Sequence, residues 1–307
     1  LKELESRLED YLGVRNLVLV SNGTMALDLA YKLLGIQGKV LTTPFSFIAT
    51  ASSLKWAGLQ PKFVDINPDT LNINEKLISL DSNCNSLVAT HVFGNPCNVD
   101  EIKHLQDKCN LKVVYDGAHA FNVLLRGNSV LNFGDISTLS FHATKVFHTI
   151  EGGALIINDD ELAKKARSAI NFGISGKDEI GGLGVNYKIN EFQAAMGLAG
   201  LKYLDHNFNV RKNICETYRN TLTDKLNYQY WNENASNNYS YMPVMFDTED
   251  RLLYVKSKLE EKNIFLRRYF YPCLSNLKFL GGSHDICPVA ENVSARIACL
   301  PLYTEMK

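Results

Sequence analysis

An α/β fold, with a mostly parallel sheet covered by helices on both faces, is what this sequence predicts for its first two-thirds, followed by a smaller α+β lobe. Three observations carry this. Short apolar runs alternate with helix-period segments from residue 16 to about 158, the pattern of strands buried on both sides and joined by crossover helices. Several of these runs end in small polar residues that open a helix, which is where open α/β sheets bind ligands. From about residue 206 the texture changes to long helical segments and an aromatic, polar stretch. The division expected is a large domain over 1–205 and a small C-terminal domain over 206–307.

Taken in order, Leu4, Leu8, Tyr11 and Leu12 recur at helical spacing, and Gly13 closes that helix. NLVLV reads as a strand, Ser21-Asn22-Gly23-Thr24 as a turn, and the segment bearing Ala26, Leu27, Ala30 and Leu33 as a helix. Such a turn aims free N–H groups and a hydroxyl at one point, which suits phosphate. The same four residues also make an ordinary turn with an N-cap. No Gly-Lys-Ser/Thr follows, so this is not a Walker loop. KVLTTPFSFIATASSLKWAGLQPKFVDI gives strand, loop, helix and strand, with Phe45, Ser46 and Phe47 in the loop. An exposed aromatic there covers the face of a flat ring or simply joins the core. SLVATHVFGNP is a strand, residues 99–108 are helical, and in LKVVYDGAHAFNV the acid Asp116 follows a buried strand, ahead of Gly117-Ala118-His119.

STLSFHATKVFHTIEGGALIIND sets Lys145 between two strands, Thr138–Phe141 and Ala154–Ile157, with the Gly152-Gly153 pair before the second. Phe141, Val146 and Phe147 around it predict a partly desolvated ammonium with a lowered pKa, hence a nucleophilic amine suited to carbonyl capture. A solvated surface lysine is the bland alternative. Helices at 160–171 and 190–204 flank FGISGKDEIGGLGVNYKIN, a segment rich in glycine and charge, expected as a mobile loop that reaches a neighbouring subunit. A helix over 206–222, the stretch WNENASNNYSYMPVMFD, a helix in DRLLYVKSKLEEKNI and the segment FLRRYFYPCL follow.

Composition excludes several classes of function. The 32 Lys+Arg and 33 Asp+Glu nearly cancel and no basic block interleaves with aromatics, so nucleic acid is not an expected partner. Seven cysteines, an odd number with no C-x-x-C, indicate neither a disulfide framework nor a zinc site; no metal is expected, and a reducing cytoplasm fits. No apolar run approaches the ~18 residues of a membrane span and no signal peptide leads the chain, so no membrane partner is expected. The chain opens directly in a helix and stops abruptly after CLPLYTEMK, which leaves open whether sequence lies beyond either end.

Taken together these elements ask for one ligand with a phosphate, a flat aromatic ring and a carbonyl that a lysine captures. Pyridoxal 5′-phosphate has all three, and its chemistry needs a carboxylate near the ring nitrogen, a place that Asp116 offers. The succession SNGTMALDLA, TTPFSFIATASSLKWAG, VVYDGAHAFN, SFHATKVFHTIEGGAL, NYKINEFQAAMGLA and CLPLY resembles the DegT-type (DnrJ/StrS-like) nucleotide-sugar aminotransferases, from about residue 3 to about residue 304. The resemblance implies the type I fold of PLP-dependent transferases, pyridoxal phosphate as cofactor, L-glutamate as amino donor and a keto sugar nucleotide as acceptor. SFHATKVF with TIEGGA is most similar to enzymes that aminate C4 of dTDP-4-keto-6-deoxy-D-glucose for surface polysaccharide, which points to O-antigen and lipopolysaccharide biosynthesis.

By the same resemblance Lys145 carries the cofactor's aldehyde and serves as acid and base, while Asp116 pairs with the pyridine nitrogen. Phe47 covers the ring, and Gly23, Thr24 and Ser140 hold the phosphate. His119, where many relatives have Gln, is expected beside the phenolic oxygen, and a titratable group there leaves the effect on the ring open. A homodimer with shared active sites is implied, in which Asn186 reaches the other subunit's phosphate. Candidates for the sugar pocket are His142, His148, Tyr187, Lys188 and the segment from Arg267 to Tyr271, although aromatics there equally pack between lobes. Other readings stay open: a 3-amino or different 4-amino regiochemistry, a UDP or GDP carrier, and a non-catalytic sugar-nucleotide sensor. Relatives that are dehydratases have histidine in place of the lysine, so Lys145 speaks against that chemistry.

Overall fold

The computed structural model describes residues 1–79, 84–223, 225–281 and 285–306. The first helix, α1 (Lys2–Leu12), buries Leu4, Leu8 and Leu12 along one stripe and ends at Gly13. There follow β1 (Leu17–Val20), α2 (Gly23–Leu33), β2 (Lys39–Thr42), α3 (Ile48–Trp56) and β3 (Gln60–Phe63). Next come β4 (Ser86–Thr90), α4 (Val99–Cys109), β5 (Lys112–Asp116) and a short hairpin of β6 (Leu124–Leu125) and β7 (Asn128–Ser129). Then β8 (Ile136–Ser140), β9 (Gly153–Ile157) and α5 (Asp160–Ala169) close this part of the chain.

Seven of these strands form one sheet in the order β1-β9-β8-β5-β4-β2-β3. The pairs β2/β3, β2/β4, β4/β5 and β5/β8 are parallel, and β9 runs antiparallel to both β8 and β1. The mostly parallel sheet is therefore present, with one reversed strand. Residues 141–152 carry no helix to cross over with, so the chain returns beside β8 in the opposite sense. Side-chain alternation explains the apolar runs: Val18 and Val20 of β1 face the core built on α2 and α5, and Leu17 and Leu19 face the one built on α1. In β9, Leu155 and Ile157 divide from Ala154 and Ile156 in the same way.

Within the Gly- and charge-rich segment after α5, expected as a mobile loop, the chain forms a short hairpin, β10 (Ile174–Gly176) with β11 (Glu179–Ile180). Backbone bonds from the N–H of Gly173 to Ser168 and from Val185 to Ala169 tie it to the end of α5. Its Phe172, Ile180 and Leu183 are exposed. The helices expected at 190–204 and 206–222 are α6 (Glu191–Leu201) and α7 (Leu204–Leu222), so the chain breaks at Lys202-Tyr203 and the 205/206 boundary falls in the first turn of α7.

The rest comprises β12 (Pro243–Met245), α8 (Glu249–Glu260), α9 (Pro288–Arg296) and β13 (Ile297–Cys299), with β12 and β13 paired antiparallel. Cys215, Met242, Val244, Leu252 and Ala298 make a core of their own. A second cluster packs Phe270, Leu274 and Ile297 against Phe45 and Phe93, which lie past the ends of β2 and β4. No helix among the described residues is long and apolar enough to cross a membrane.

Asp65, just past β3, is buried and accepts the N–H groups of Val289 and Ala290 at the start of α9, each at 2.9 Å. A carboxylate at a helix N-terminus is favoured by the free N–H groups there. Asp65→Ala strands those donors and is expected to cost about 1–3 kcal/mol. The reading is a lowered midpoint in denaturant unfolding, and an unchanged midpoint would show the contact to be idle.

Candidate active site

Past the carboxyl ends of β1, β2, β4, β5 and β8 the chain encloses a cavity of about 440 Å³. Gly23, Thr24, Phe47, Asp116, His119, Ser140 and Lys145 all line it, as does His142 among the substrate candidates.

One end of the cavity is an anion cradle. Asn22 caps α2, its side-chain oxygen accepting the Met25 N–H at 2.9 Å and its carbonyl the Ala26 N–H at 3.1 Å. The N–H groups of Gly23 and Thr24, the first two of the helix, are left without an intrahelical acceptor. The turn is an N-cap by way of Asn22, and the two residues after it line the cavity. Space is tight here: a Cβ on Gly23 would lie 2.9 Å from that of Ser140, and one on Gly153 would lie 2.5 Å from the carbonyl carbon of Asn22. Only glycine lets the reversed strand and the turn approach so closely.

The acid lies at the end of β5. Asp116 is buried, its Oδ1 accepts the Ala118 N–H at 3.1 Å, and its Oδ2 accepts the Thr50 hydroxyl at 2.7 Å. Phe47 is the residue just before α3 and stays 51% exposed on the cavity wall, whereas Phe45 two residues earlier is wholly buried.

Lys145 sits in the loop between β8 and β9, which is closed by backbone bonds from Phe141 N–H to Gly152 and from Thr149 N–H to Phe141. Phe141 and Phe147 do not wall the amine as the sequence suggested. They pack into the core below, with 4.9 Å between the ring centres of Phe121 and Phe147 and between those of Phe141 and Phe147. The surroundings of Nζ come from elsewhere in the chain: it donates to the Tyr241 hydroxyl at 3.2 Å. Burial pushes the ammonium down to about 8; Asp116 opposes this, and the Arg267 charge adds to it.

Only the neutral amine attacks an aldehyde. Aldehyde capture by the apoprotein, followed by absorbance, is thus expected to rise with pH through a midpoint near 8 and not near the ordinary lysine value of 10.5. Arg267→Met should move that midpoint up and Asp116→Asn should move it down. A midpoint above 10 would show that burial does not lower the pKa of this amine.

His119 is settled by its neighbours. The Phe93 N–H donates to Nδ1 at 3.2 Å, which puts the ring's own proton on Nε2. Burial holds the ring neutral, well below the usual histidine range, and the Lys145 charge acts in the same direction. In place of a titrating group, the cavity has a fixed neutral ring.

Five candidates do not line the cavity of their own chain. Tyr187 is buried and donates to Asp28 Oδ2 at 2.5 Å, and Lys32 donates to both, so its hydroxyl is consumed on α2 and is not a sugar contact there. Lys188 donates to Asn171 at 2.6 Å and lies over the Phe172 ring, and His148 Nδ1 accepts the Ile150 N–H. Asn186 is exposed, as the alternation around a buried Tyr187 requires. Tyr271 lines a neighbouring groove of about 170 Å³, with the Arg268 guanidinium stacked 3.5 Å from its ring centre. The arginine pair divides its work: Arg268 donates to Glu249 and to the Ala295 carbonyl, and Arg267 lines both spaces. Sequence reasoning missed Tyr241, Ser46, Thr50 and Thr90, all of which line the cavity or bond to residues that do.

Pyridoxal phosphate fits these residues: the cradle closed to side chains is open to an oxyanion, the acid and the lowered-pKa amine share one space, and a half-exposed phenyl walls it. The chain is 39% identical over 316 residues to a dTDP-4-amino-4,6-dideoxy-D-glucose transaminase of Shigella dysenteriae, covering 99% of this chain and 85% of the relative. An Escherichia coli protein of the same name is 36% identical over the same length and shares. The crystal structure of DesI in the presence of its TDP-sugar product superimposes with a TM-score of 0.93 at 32% identity, over 100% of this chain and 80% of that one, and its fold is the type I fold that the resemblance implied. With the family model matching residues 1–307, the chain belongs to the DegT/DnrJ/EryC1/StrS aminotransferase family, and pyridoxal 5′-phosphate is its cofactor.

Proposed function

We propose that the protein transfers the amino group of L-glutamate to C4 of dTDP-4-keto-6-deoxy-D-glucose, giving dTDP-4-amino-4,6-dideoxy-D-glucose. The observation that carries this is the amine of Lys145, which lines one cavity with Asp116 and donates to the Tyr241 hydroxyl, and whose pKa burial lowers. The nucleotide and the carbon rest on the relatives, two of which are named dTDP-4-amino-4,6-dideoxy-D-glucose transaminases. A Campylobacter jejuni relative, 36% identical over 70% of this chain, is named a UDP-4-amino-4,6-dideoxy-N-acetyl-beta-L-altrosamine transaminase, which makes a UDP-linked acceptor the second reading.

When bound, the cofactor supplies an aldehyde that takes over the amino group and a ring that spreads the electron pair left by a departing proton. Lys145 Nζ would take the proton from Cα of glutamate and pass it to the carbon that carried the cofactor's aldehyde, with water supplying the oxygen of the 2-oxoglutarate released; in the second half the same amine would return a proton from that carbon to C4 of the sugar, whose keto oxygen leaves as water. Asp116 keeps the ring nitrogen protonated. Gly23, Thr24 and Ser140 would hold the phosphate, Phe47 would shield the ring face from water, and the neutral His119 would sit near the phenolic oxygen.

In the same reading the protein is a cytoplasmic homodimer with a large domain over 1–205 and a small one over 206–307, serving O-antigen synthesis. Each subunit lends Asn186 to the other's phosphate. The exposure of Asn186, on a segment that also exposes Phe172, Ile180 and Leu183, supports this. Incubation with glutamate and a panel of 3-keto and 4-keto sugars on dTDP, UDP and GDP, with products identified by mass and NMR, tests the reading. A 4-amino sugar on dTDP is expected; a 3-amino product, or turnover confined to another carrier, would displace it.

A further inference from the structure

We propose that Thr50, Ser46 and Thr90 form a one-way hydroxyl relay that fixes the Asp116 carboxylate as an acceptor, and that they are positioning residues for amino transfer. This rests on the reading of Asp116 as the partner of the cofactor's ring nitrogen. Thr50 Oγ1 lies 2.7 Å from Asp116 Oδ2, Ser46 Oγ 2.8 Å from Thr50 Oγ1, and Thr90 Oγ1 3.0 Å from Ser46 Oγ. All three residues are at most 1% exposed, so water does not compete for these bonds.

The direction of the relay follows from proton counting. An ionised carboxylate only accepts, so Thr50 spends its single hydroxyl proton on Asp116. Ser46 must then donate to Thr50, and Thr90 to Ser46. Every proton in the chain points toward the acid, and each bond polarises the next in the same sense. The Ala118 N–H occupies the other carboxylate oxygen, so both oxygens have a donor and the plane of the group is set.

The relay also joins parts of the fold that must agree. Ser46 lies in the turn after β2, Thr50 in the first turn of α3, and Thr90 and Asp116 at the ends of β4 and β5. Phe47 sits between the first two, and its carbonyl accepts the Thr50 N–H at 3.1 Å. The ring-facing phenyl and the acid are thus held by one turn. Hydroxyls that merely satisfied one another would support stability and leave the chemistry alone, and that difference is measurable.

Thr50→Val keeps the shape and removes the donor, Thr50→Ser keeps the donor, and Ser46→Ala cuts the relay one link further out. The readings are the pH titration of the bound cofactor's visible absorption, and kcat and KM. Thr50→Val is expected to move the titration midpoint by about one pH unit and lower kcat by about tenfold at unchanged KM, the size of one lost charge-assisted bond. Ser46→Ala should act in the same direction by less, and Thr50→Ser should restore both readings. A valine variant that leaves the midpoint in place and kcat within about twofold of wild type overturns the relay. So does a serine variant as damaged as valine. If the valine variant does not fold, Ser46→Ala decides alone: an unmoved midpoint overturns the relay. Should Asp116→Asn itself leave the titration unmoved, the reading of Asp116 falls; an effect of Asp116→Asn without one of Thr50→Val removes only the relay.

Discussion

Lys145→Ala should fold, take up its cofactor without a covalent bond, and lose turnover by about 10⁴-fold or more. The loop does not depend on Nζ for its shape, because the backbone bonds between Phe141 and Gly152, between Thr149 and Phe141, and from the Lys145 N–H to His142 all remain. Phe141 and Phe147 stay anchored on Phe121. The anion cradle and Asp116 belong to other elements and are untouched. What disappears is the amine that captures the aldehyde and that carries protons in both halves of the reaction. The checks are kcat, the loss of the near-visible band that a lysine-bound aldehyde gives, and an unchanged melting curve of the apoprotein. Activity within about tenfold of wild type would break the mechanism at its centre.

Asp116→Asn should lower kcat by about 10³-fold while changing KM for the sugar by less than about threefold. The substitution preserves volume, so the cavity keeps its outline. Its chemistry does not survive. The Ala118 N–H requires an acceptor, which turns the amide oxygen toward it and leaves the amide NH₂ facing Thr50. Thr50 must then accept where it donated, and the neutral side chain no longer holds a proton on the ring nitrogen. A kcat within about threefold of wild type would show that the acid is not used.

Much of this site was legible because its residues stand at strand ends. Asp116 closes β5, Ser140 closes β8, and Gly23 and Thr24 follow β1, so reading the apolar runs already located them. Lys145 was legible from its window, but for a partly wrong reason: Phe141 and Phe147 are neighbours in sequence whose rings point into the core, while Tyr241, from the C-terminal part, is the group that meets Nζ. Proximity along the chain is not proximity in space. Within the NYK motif the side chains part company: Tyr187 turns inward to Asp28, Asn186 is exposed, and Lys188 is half-buried on Asn171. The hydroxyls of Ser46, Thr50 and Thr90 carry no charge and no spacing signal, since β4 reaches β2 only through the sheet. Nothing in LRRYFYP says which arginine is tied to Glu249; the fold decides that.

The reversed strand bears on how the protein is made. β1 is an edge strand whose sheet partner is β9, and Gly153, the first residue of β9, lies against the Asn22-Gly23 turn. A nascent chain therefore emerges from the ribosome with the wall of its phosphate-binding end synthesised early and the floor still missing. Until β9 threads between β1 and β8, no vitamin B6 phosphate ester can be gripped. Specific coenzyme loading is expected to follow translation of the whole sheet, and a truncation placed before residue 153 is expected to retain no coenzyme after dialysis.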